Sequence, residues 1–292
     1  MAEAKQIDDY DEIEVFMTSV DSKSKATQKS YRTQYNKLRK LLGKDISESS
    51  QNKILDIANE EEKANSRQAL INIGILVRRL YKLAVDKLEK ARTETKDEII
   101  KENKEKNTEL QKELPTLNDL EEYTQYLYDN NKWTDFIINY LLINYQTRNK
   151  DLNFTIINRK KEATDPEKNY MWLDRNRAVF IRNNYKTAGT YGKKIDIITD
   201  KEFLTALKRV KACQKHGEEC GTFIPNEDQL GYYIKKATYN QIGEGAYFKI
   251  LTNAFKGDLQ KLKSMGESRG TDLNTIATNY DVSLQNEMID LD

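Results

Sequence analysis

Few residues in this chain look placed for chemistry, and Arg148 is the first of them. It follows Ile137, Leu141, Leu142 and Tyr145, whose helical spacing predicts a buried helix, and it is followed at once by Asn149, Lys150 and Asp151. An arginine leaving a core helix needs an anion. That anion is either a carboxylate of the chain, Asp151 being nearest in sequence, or a bound ligand. A second group is a basic run. Lys23, Lys25, Lys29, Arg32, Lys37, Arg39, Lys40 and Lys44 occur with no Asp or Glu among them, a pattern suited to meeting phosphates, with an ordinary solvated helix face as the alternative. Lys186 sits in the turn Asn184–Gly192 between two strand-like segments, which holds it away from a core. Cys213, His216 and Cys220 have a metal-like spacing, but they supply three ligands and the chain has 1 histidine, so a structural zinc site is not expected. No metal or cofactor is predicted.

The elements that must position these groups follow from periodicity. Tyr31, Tyr35, Leu38 and Leu42 make one face of a helix through the basic run, which leaves the cations outside, and Gly43 is a natural stop. Residues 1–15 are acidic and expected to be loosely held. A strongly apolar helix is predicted over residues 66–91, with Arg78 and Arg79 on its outer face. From Arg92 to Glu113 the chain is rich in Lys, Glu, Asn and Thr, which predicts a solvent-exposed helical linker ending at Pro115. Thr116, three residues before Asp119, reads as a helix start. Residues 151–158, 169–174, 177–183 and 193–199 are β-branched and aromatic, and they predict a small antiparallel sheet with tight turns. Helices return from Asp200 to the neighbourhood of Tyr280.

Composition narrows the class further. The 292 residues carry a net charge of +1 with a pI of about 7.6, so no global charge argues for a polyanionic partner and the local patterning decides. Mean hydropathy is -0.83 and charged residues make up 33%, and no apolar run is long enough for a membrane span. Two cysteines and no signal-peptide pattern predict an intracellular protein, in cytoplasm or nucleus. The fold class expected is mainly α with a small antiparallel β-sheet. The domains expected are a locally basic helical domain over 1–92, a charged linker over 93–114, a helix-and-sheet domain over 115–282 and a tail over 283–292.

The order of a locally basic helical domain, a linker, an arginine after a buried helix, a lysine in a β-turn and a helical C-terminal lobe resembles the tyrosine recombinase and integrase family. In that family an arginine or lysine follows a histidine by three residues on a helix. A Gly-His or Gly-Trp pair comes later, and the nucleophilic tyrosine stands nine residues after that second position. Here Gly270-Thr271 occupies the place of the pair, and Tyr280 lies nine residues beyond Thr271. Lys249 occupies the place of the second arginine and Ala246 that of its histidine, so both imidazoles are missing.

The resemblance implies Arg148, Lys186, Lys249, Thr271 and Tyr280 as the catalytic set, with Tyr280 forming a 3′-phosphotyrosine on double-stranded DNA without a metal. Lys186 then serves as general acid for the departing oxygen. It implies DNA contacts from Lys25, Lys29, Arg32, Lys37, Arg39, Lys40, Arg78 and Arg79, and self-association on DNA through the apolar tail residues Leu284, Met288, Ile289 and Leu291. The composition is closest to integrase-like proteins of large DNA viruses and mobile elements. Loss of both imidazoles opens a second reading, a recombinase-fold protein retained for DNA binding or as a virion component. Type IB topoisomerases share the chemistry, but the helical N-terminal half differs from the β-rich one of their small viral members.

Overall fold

In a computed structural model, residues 11–214, 223–224 and 229–280 are described here. The chain is mainly helical with one small four-stranded sheet, and it divides into two compact units, Met1–Asn103 and Lys104–Asp292. No helix among the described residues is long and apolar enough to cross a membrane.

The first unit is built from α1 (Glu12–Ser19), α2 (Lys25–Leu42), α3 (Gln51–Asn59), α4 (Ala64–Leu80) and the start of α5 (Asp86–Glu113). Ser24 caps α2 by accepting from Thr27 N, and Gly43 closes it at φ 70, a backbone angle that costs glycine little. Tyr35 and Leu38 are the fully buried members of the α2 stripe, and they join Phe16, Ile46, Ile54, Leu70, Ile71 and Leu88 in the core. Of the acidic segment 1–15, the described part from residue 11 is tied down more firmly than its composition suggests. Glu12 is buried, and its carboxylate accepts from Tyr35 Oη at 2.7 Å, Ile46 N at 2.9 Å and Ser47 N at 2.8 Å. Three donors offset the desolvation of one carboxylate, and in doing so they fasten α1 to α2 and to the loop after it.

The expected continuous helix over 66–91 is broken. Lys82 adopts φ 56, and Leu83 N bonds back to Arg78 O at 2.8 Å. Arg78 makes the break possible: buried rather than outward, it donates through Nε to Ala84 O at 2.8 Å and through Nη1 to Ser49 O. Its Nε satisfies a carbonyl just past the break, and its Nη1 ties the break to the start of α3.

The second unit opens with α6 (Leu117–Asp129), whose Thr116–Asp119 capping box matches the expected helix start. Next comes α7 (Trp133–Tyr145), buried along most of its length through Phe136, Ile137, Ile138, Leu141, Leu142 and Ile143. The sheet follows in the order β1 (Phe154–Ile157), β2 (Asn169–Leu173), β3 (Ala178–Arg182), β4 (Lys194–Ile198). Only part of it is antiparallel. β1 and β2 run parallel with Phe154 opposite Asn169, whereas β2–β3 and β3–β4 are antiparallel. Residues 158–168 are long enough to carry the chain back across the sheet, which a tight turn cannot do.

Phe154, Ile156, Met171 and Phe180 face the helical core, and Ile157, Tyr170, Val179 and Ile181 form a separate cluster. The connection from β3 to β4 contains a helical turn, α8 (Ala188–Tyr191), where a simple hairpin tip was expected. The C-terminal helices are α9 (Lys201–Gln214), α10 (Leu230–Ala237), α11 (Gly243–Ala254), α12 (Leu259–Arg269) and α13 (Leu273–Asn279).

Candidate functional site

The site is assembled where the end of α12 is fastened along the exit of α7. Helix α7 stops because Gln146 turns to φ 45, which sends Thr147 and Arg148 off in an extended path. Ser268 Oγ donates to Tyr145 O at 2.7 Å, and Arg269 Nη1 donates to Gln146 O at 3.3 Å and Thr147 O at 3.4 Å. These bonds satisfy the carbonyls that a helix end exposes. They also set Gly270 and Thr271 beside Arg148, whose Nη2 donates to Thr271 Oγ1 at 2.7 Å.

The β3–β4 connection holds α12 from the other direction. Arg182 lies on the inward period of β3 with Ala178 and Phe180, and it is 1% exposed. It pairs with Asp196 at 2.7 Å and Asp151 at 3.4 Å, and donates to Ser268 O at 2.9 Å. Lys194 donates to Ser268 O at 3.0 Å and to Glu267 O, beneath the rings of Tyr185 and Tyr191. Burial first, and Arg182 next, push its ammonium down to about 8. Thr187 Oγ1 donates to Gly270 O at 2.9 Å. Lys186 is therefore held by its neighbour beside the Gly270–Thr271 pair, with its own side chain exposed.

Asp151 does not neutralise Arg148 in the way its sequence proximity suggests. Its Oδ2 accepts from the Arg148 backbone N at 3.2 Å and otherwise serves Arg182. Burial raises the Asp151 carboxyl above the usual carboxylate range in spite of these partners. The Arg148 guanidinium is weakened as an acid-base partner first by burial and then by Arg269, while Asp151, Tyr280 and Glu244 support its charge. Its Nη1 is buried and finds no partner among the described residues.

Arg269 is 3% exposed, pairs with Glu244 at 3.0 Å, and lies 4.2 Å over the Phe248 ring. Tyr280 meets the same Phe248 edge-on, with centroids 4.8 Å apart. Glu244 in turn accepts from Asn149 N at 3.0 Å, which ties α11 to the Asn149–Leu152 turn. Four cations (Arg148, Arg182, Lys194, Arg269) thus stand with three carboxylates (Asp151, Asp196, Glu244), and Arg148 Nη1, Arg269 Nε and Asp151 Oδ1 are buried without hydrogen-bond partners among the described residues.

Of the residues singled out in the sequence, Arg148, Thr271 and Tyr280 come together, with Lys186 beside them. Lys249 does not join them: it lines a cavity of about 300 Å³ with Leu114, Pro115, Leu117 and Asn253. Burial alone lowers its ammonium. Arg182, Lys194, Glu244 and Arg269 were not expected at the site. Only Arg182 left a trace in the sequence, as a charge on the inward period of a strand.

In the first unit, Lys25, Lys29, Arg32 and Lys40 are exposed along α2, whereas Lys37 pairs with Glu61 at 2.6 Å and Arg39 with Asp45 at 2.8 Å. Arg79 pairs with Glu89. Arg78 is spent on backbone carbonyls, which takes it out of the expected DNA-facing set. The Cys213–His216–Cys220 spacing and the tail over 283–292 lie outside the described side chains.

No protein-family model matches this chain, and no curated protein does. Among solved structures it is similar to a crystal structure of XerA recombinase, with a TM-score of 0.37 and 11% identity over 95% of this chain and 96% of that one. So loose a likeness decides nothing about the site, whose chemistry rests on the geometry above.

Proposed function

We propose that this chain binds double-stranded DNA and cleaves and rejoins it through a covalent 3′-phosphotyrosine. The observation that supports this reading is the 2.7 Å contact of Arg148 with Thr271, with Tyr280 near enough to support the Arg148 charge, in a cluster with one more cation than carboxylates. A phosphodiester brings one negative charge and oxygen acceptors, which would complement that cluster.

In the proposed reaction Tyr280 Oη attacks phosphorus and gives up its proton to solvent water, both imidazoles being absent, and a P–O bond to the tyrosine forms as the bond to the 5′ oxygen breaks. The departing 5′ oxygen takes a proton, assigned to Lys186. Rejoining runs the same steps in reverse, so bond energy is conserved in the ester. Arg148 stabilises charge on the non-bridging oxygens. The helical unit contributes affinity through α2, and assembly of copies on DNA is part of the proposal.

The test is a nicked suicide duplex incubated without added metal and run on a denaturing gel. Wild type should form an adduct on the 3′ phosphate, and Tyr280→Phe should bind the duplex equally well and form none. A second reading, retention of the fold for DNA binding alone, is favoured by Ala246 and Thr271 in place of imidazoles and by the separate cavity that takes Lys249. It predicts salt-dependent binding with no adduct under any condition.

A further inference from the structure

We propose that Tyr232 and Tyr233 of α10 form a stacking platform for unpaired bases of the bound DNA, with Lys235 and Lys236 taking the phosphates beside them. The inference rests on the reading of DNA as substrate, and it adds a surface that recognises single-stranded rather than paired DNA. Helix α10 commits only part of itself to the fold. Ile234 and Ala237 are buried, while Tyr232 is 64% and Tyr233 38% exposed. Single apolar side chains in water are ordinary, but two large rings lying against each other leave a wider apolar area uncovered.

The geometry of the pair suits stacking. The rings meet edge to face, with centroids 5.8 Å apart and planes at 72°. In that arrangement one ring gives only its edge to the other, so both of its faces are free of its partner. A base of any identity stacks on such a face, since every base has a π-face of its own. Bases inside a duplex have their faces covered by their neighbours, so the occupant is an unpaired base.

The cations stand where the backbone of such a strand runs. Lys235 lies three residues after Tyr232, and Lys236 three after Tyr233, spacings that make them neighbours on the helix surface. Both are exposed, and neither forms an ion pair among the described residues. Burial raises the Asp135 carboxyl, and Lys236 offsets only part of that rise from beyond ion-pair distance. Positive charge is thus left for phosphates, next to rings that suit bases. The platform also borders the Arg148 site. A Cβ added at Gly231 would come 3.6 Å from Asn149 Nδ2, so α10 is seated on the turn that starts one residue after Arg148. Bases that unpair beside a cut at Arg148 therefore arise next to α10.

The experiment measures binding of the full-length chain, by fluorescence anisotropy, to three DNAs. They are an intact duplex, the same duplex with a short gap that leaves one strand unpaired, and that gapped duplex with abasic sugars in place of the unpaired bases. The last two carry the same phosphates, so they differ in the bases alone. The gapped duplex with bases should bind about tenfold tighter than the abasic one. Tyr232→Ala with Tyr233→Ala should erase that ratio, and Tyr232→Phe with Tyr233→Phe should keep it, because stacking uses the ring and not the hydroxyl. Lys235→Ala with Lys236→Ala should weaken all three DNAs and lower the salt slope. Equal binding of the gapped and abasic DNAs, a ratio that survives the alanine pair or is lost in the phenylalanine pair, or a salt slope unchanged in the lysine variant overturns the platform and leaves duplex binding standing. No binding to any of the DNAs overturns the platform together with the DNA reading. A ratio lost in the alanine pair, with no adduct in the suicide-duplex assay, sustains the platform and removes the reaction.

Discussion

The guanidinium of Arg148 and the hydroxyl of Thr271 meet at 2.7 Å although 123 residues separate them. A threonine hydroxyl is a neutral acceptor, so it orients the guanidinium without cancelling its charge. Nη1 is buried and lacks a partner among the described residues, so the guanidinium keeps a donor that none of them uses.

Removing the charge should cost more than removing the orienting group. Arg148→Ala is expected to lower adduct formation on the suicide duplex about 10²- to 10³-fold, as loss of one fixed donor to a developing charge does. Thr271→Val should cost less, and Thr271→His should accelerate attack by placing an imidazole against the same oxygens. Adduct yields unchanged in Arg148→Ala would remove this pocket from the chemistry.

Gly270 tests whether the β3–β4 connection must lie against α12. Its φ is 70, and an added Cβ would run into Thr187 Oγ1. Gly270→Ala should therefore destabilise the fold by about 1–3 kcal/mol and reduce adduct formation. Adding Thr187→Gly should recover part of the stability, since it removes the clash and leaves the backbone strain. Thermal unfolding of the three variants measures both.

Lys186 and Lys194 should separate by leaving group. If Lys186 donates the proton, Lys186→Ala is slow on an ordinary duplex and near wild-type rate on one whose 5′ bridging oxygen is replaced by sulfur, which leaves without protonation. Lys194→Met should be slow on both, because its amine holds Glu267 O and Ser268 O. Equal recovery of both variants would count against this division of roles.

Stability should rise with pH in the alkaline range. The Lys194 ammonium is pushed down to about 8 in the folded chain, against an ordinary lysine value of about 10.4. Between those values the unfolded chain binds the extra proton, so unfolding becomes harder as pH rises, and below about pH 8 this dependence is absent. Lys194→Met should reduce the slope and leave the part that the lowered Lys249 ammonium contributes. Denaturant melts of both proteins from pH 7 to 10 check it.

Salt dependence divides the basic residues of the first unit. Replacing Lys25, Lys29, Arg32 and Lys40 by Ala should lower the slope of log K against log salt by about 0.9 for each phosphate no longer neutralised. Arg78→Ala should instead lower the melting temperature, since it leaves Ser49 O and Ala84 O without donors, at about 1–3 kcal/mol.

Much of the architecture was legible in the residues. The period of Ile137, Leu141 and Leu142 defined a buried helix, the Thr116–Asp119 spacing marked a helix start, and the change to β-branched residues after Asp151 located the sheet. Local rules govern each of these, because a period or a cap depends on residues within a turn or two. The Gly270-Thr271 pair and Tyr280 came instead from the family resemblance, and the structure brings Thr271 to Arg148.

Tertiary structure decided which cations share the pocket. On α11, Glu244 and Phe248 stand four apart and so face one way, toward Arg269, whereas Lys249 lies about 100° further round and enters another cavity. Arg78 turned inward because the chain breaks at Lys82, and β1 lies parallel to β2 because residues 158–168 cross the sheet. Arg269 reached Arg148 only because α12 ends against the open carbonyls of α7, a meeting of two helix ends that no local pattern encodes.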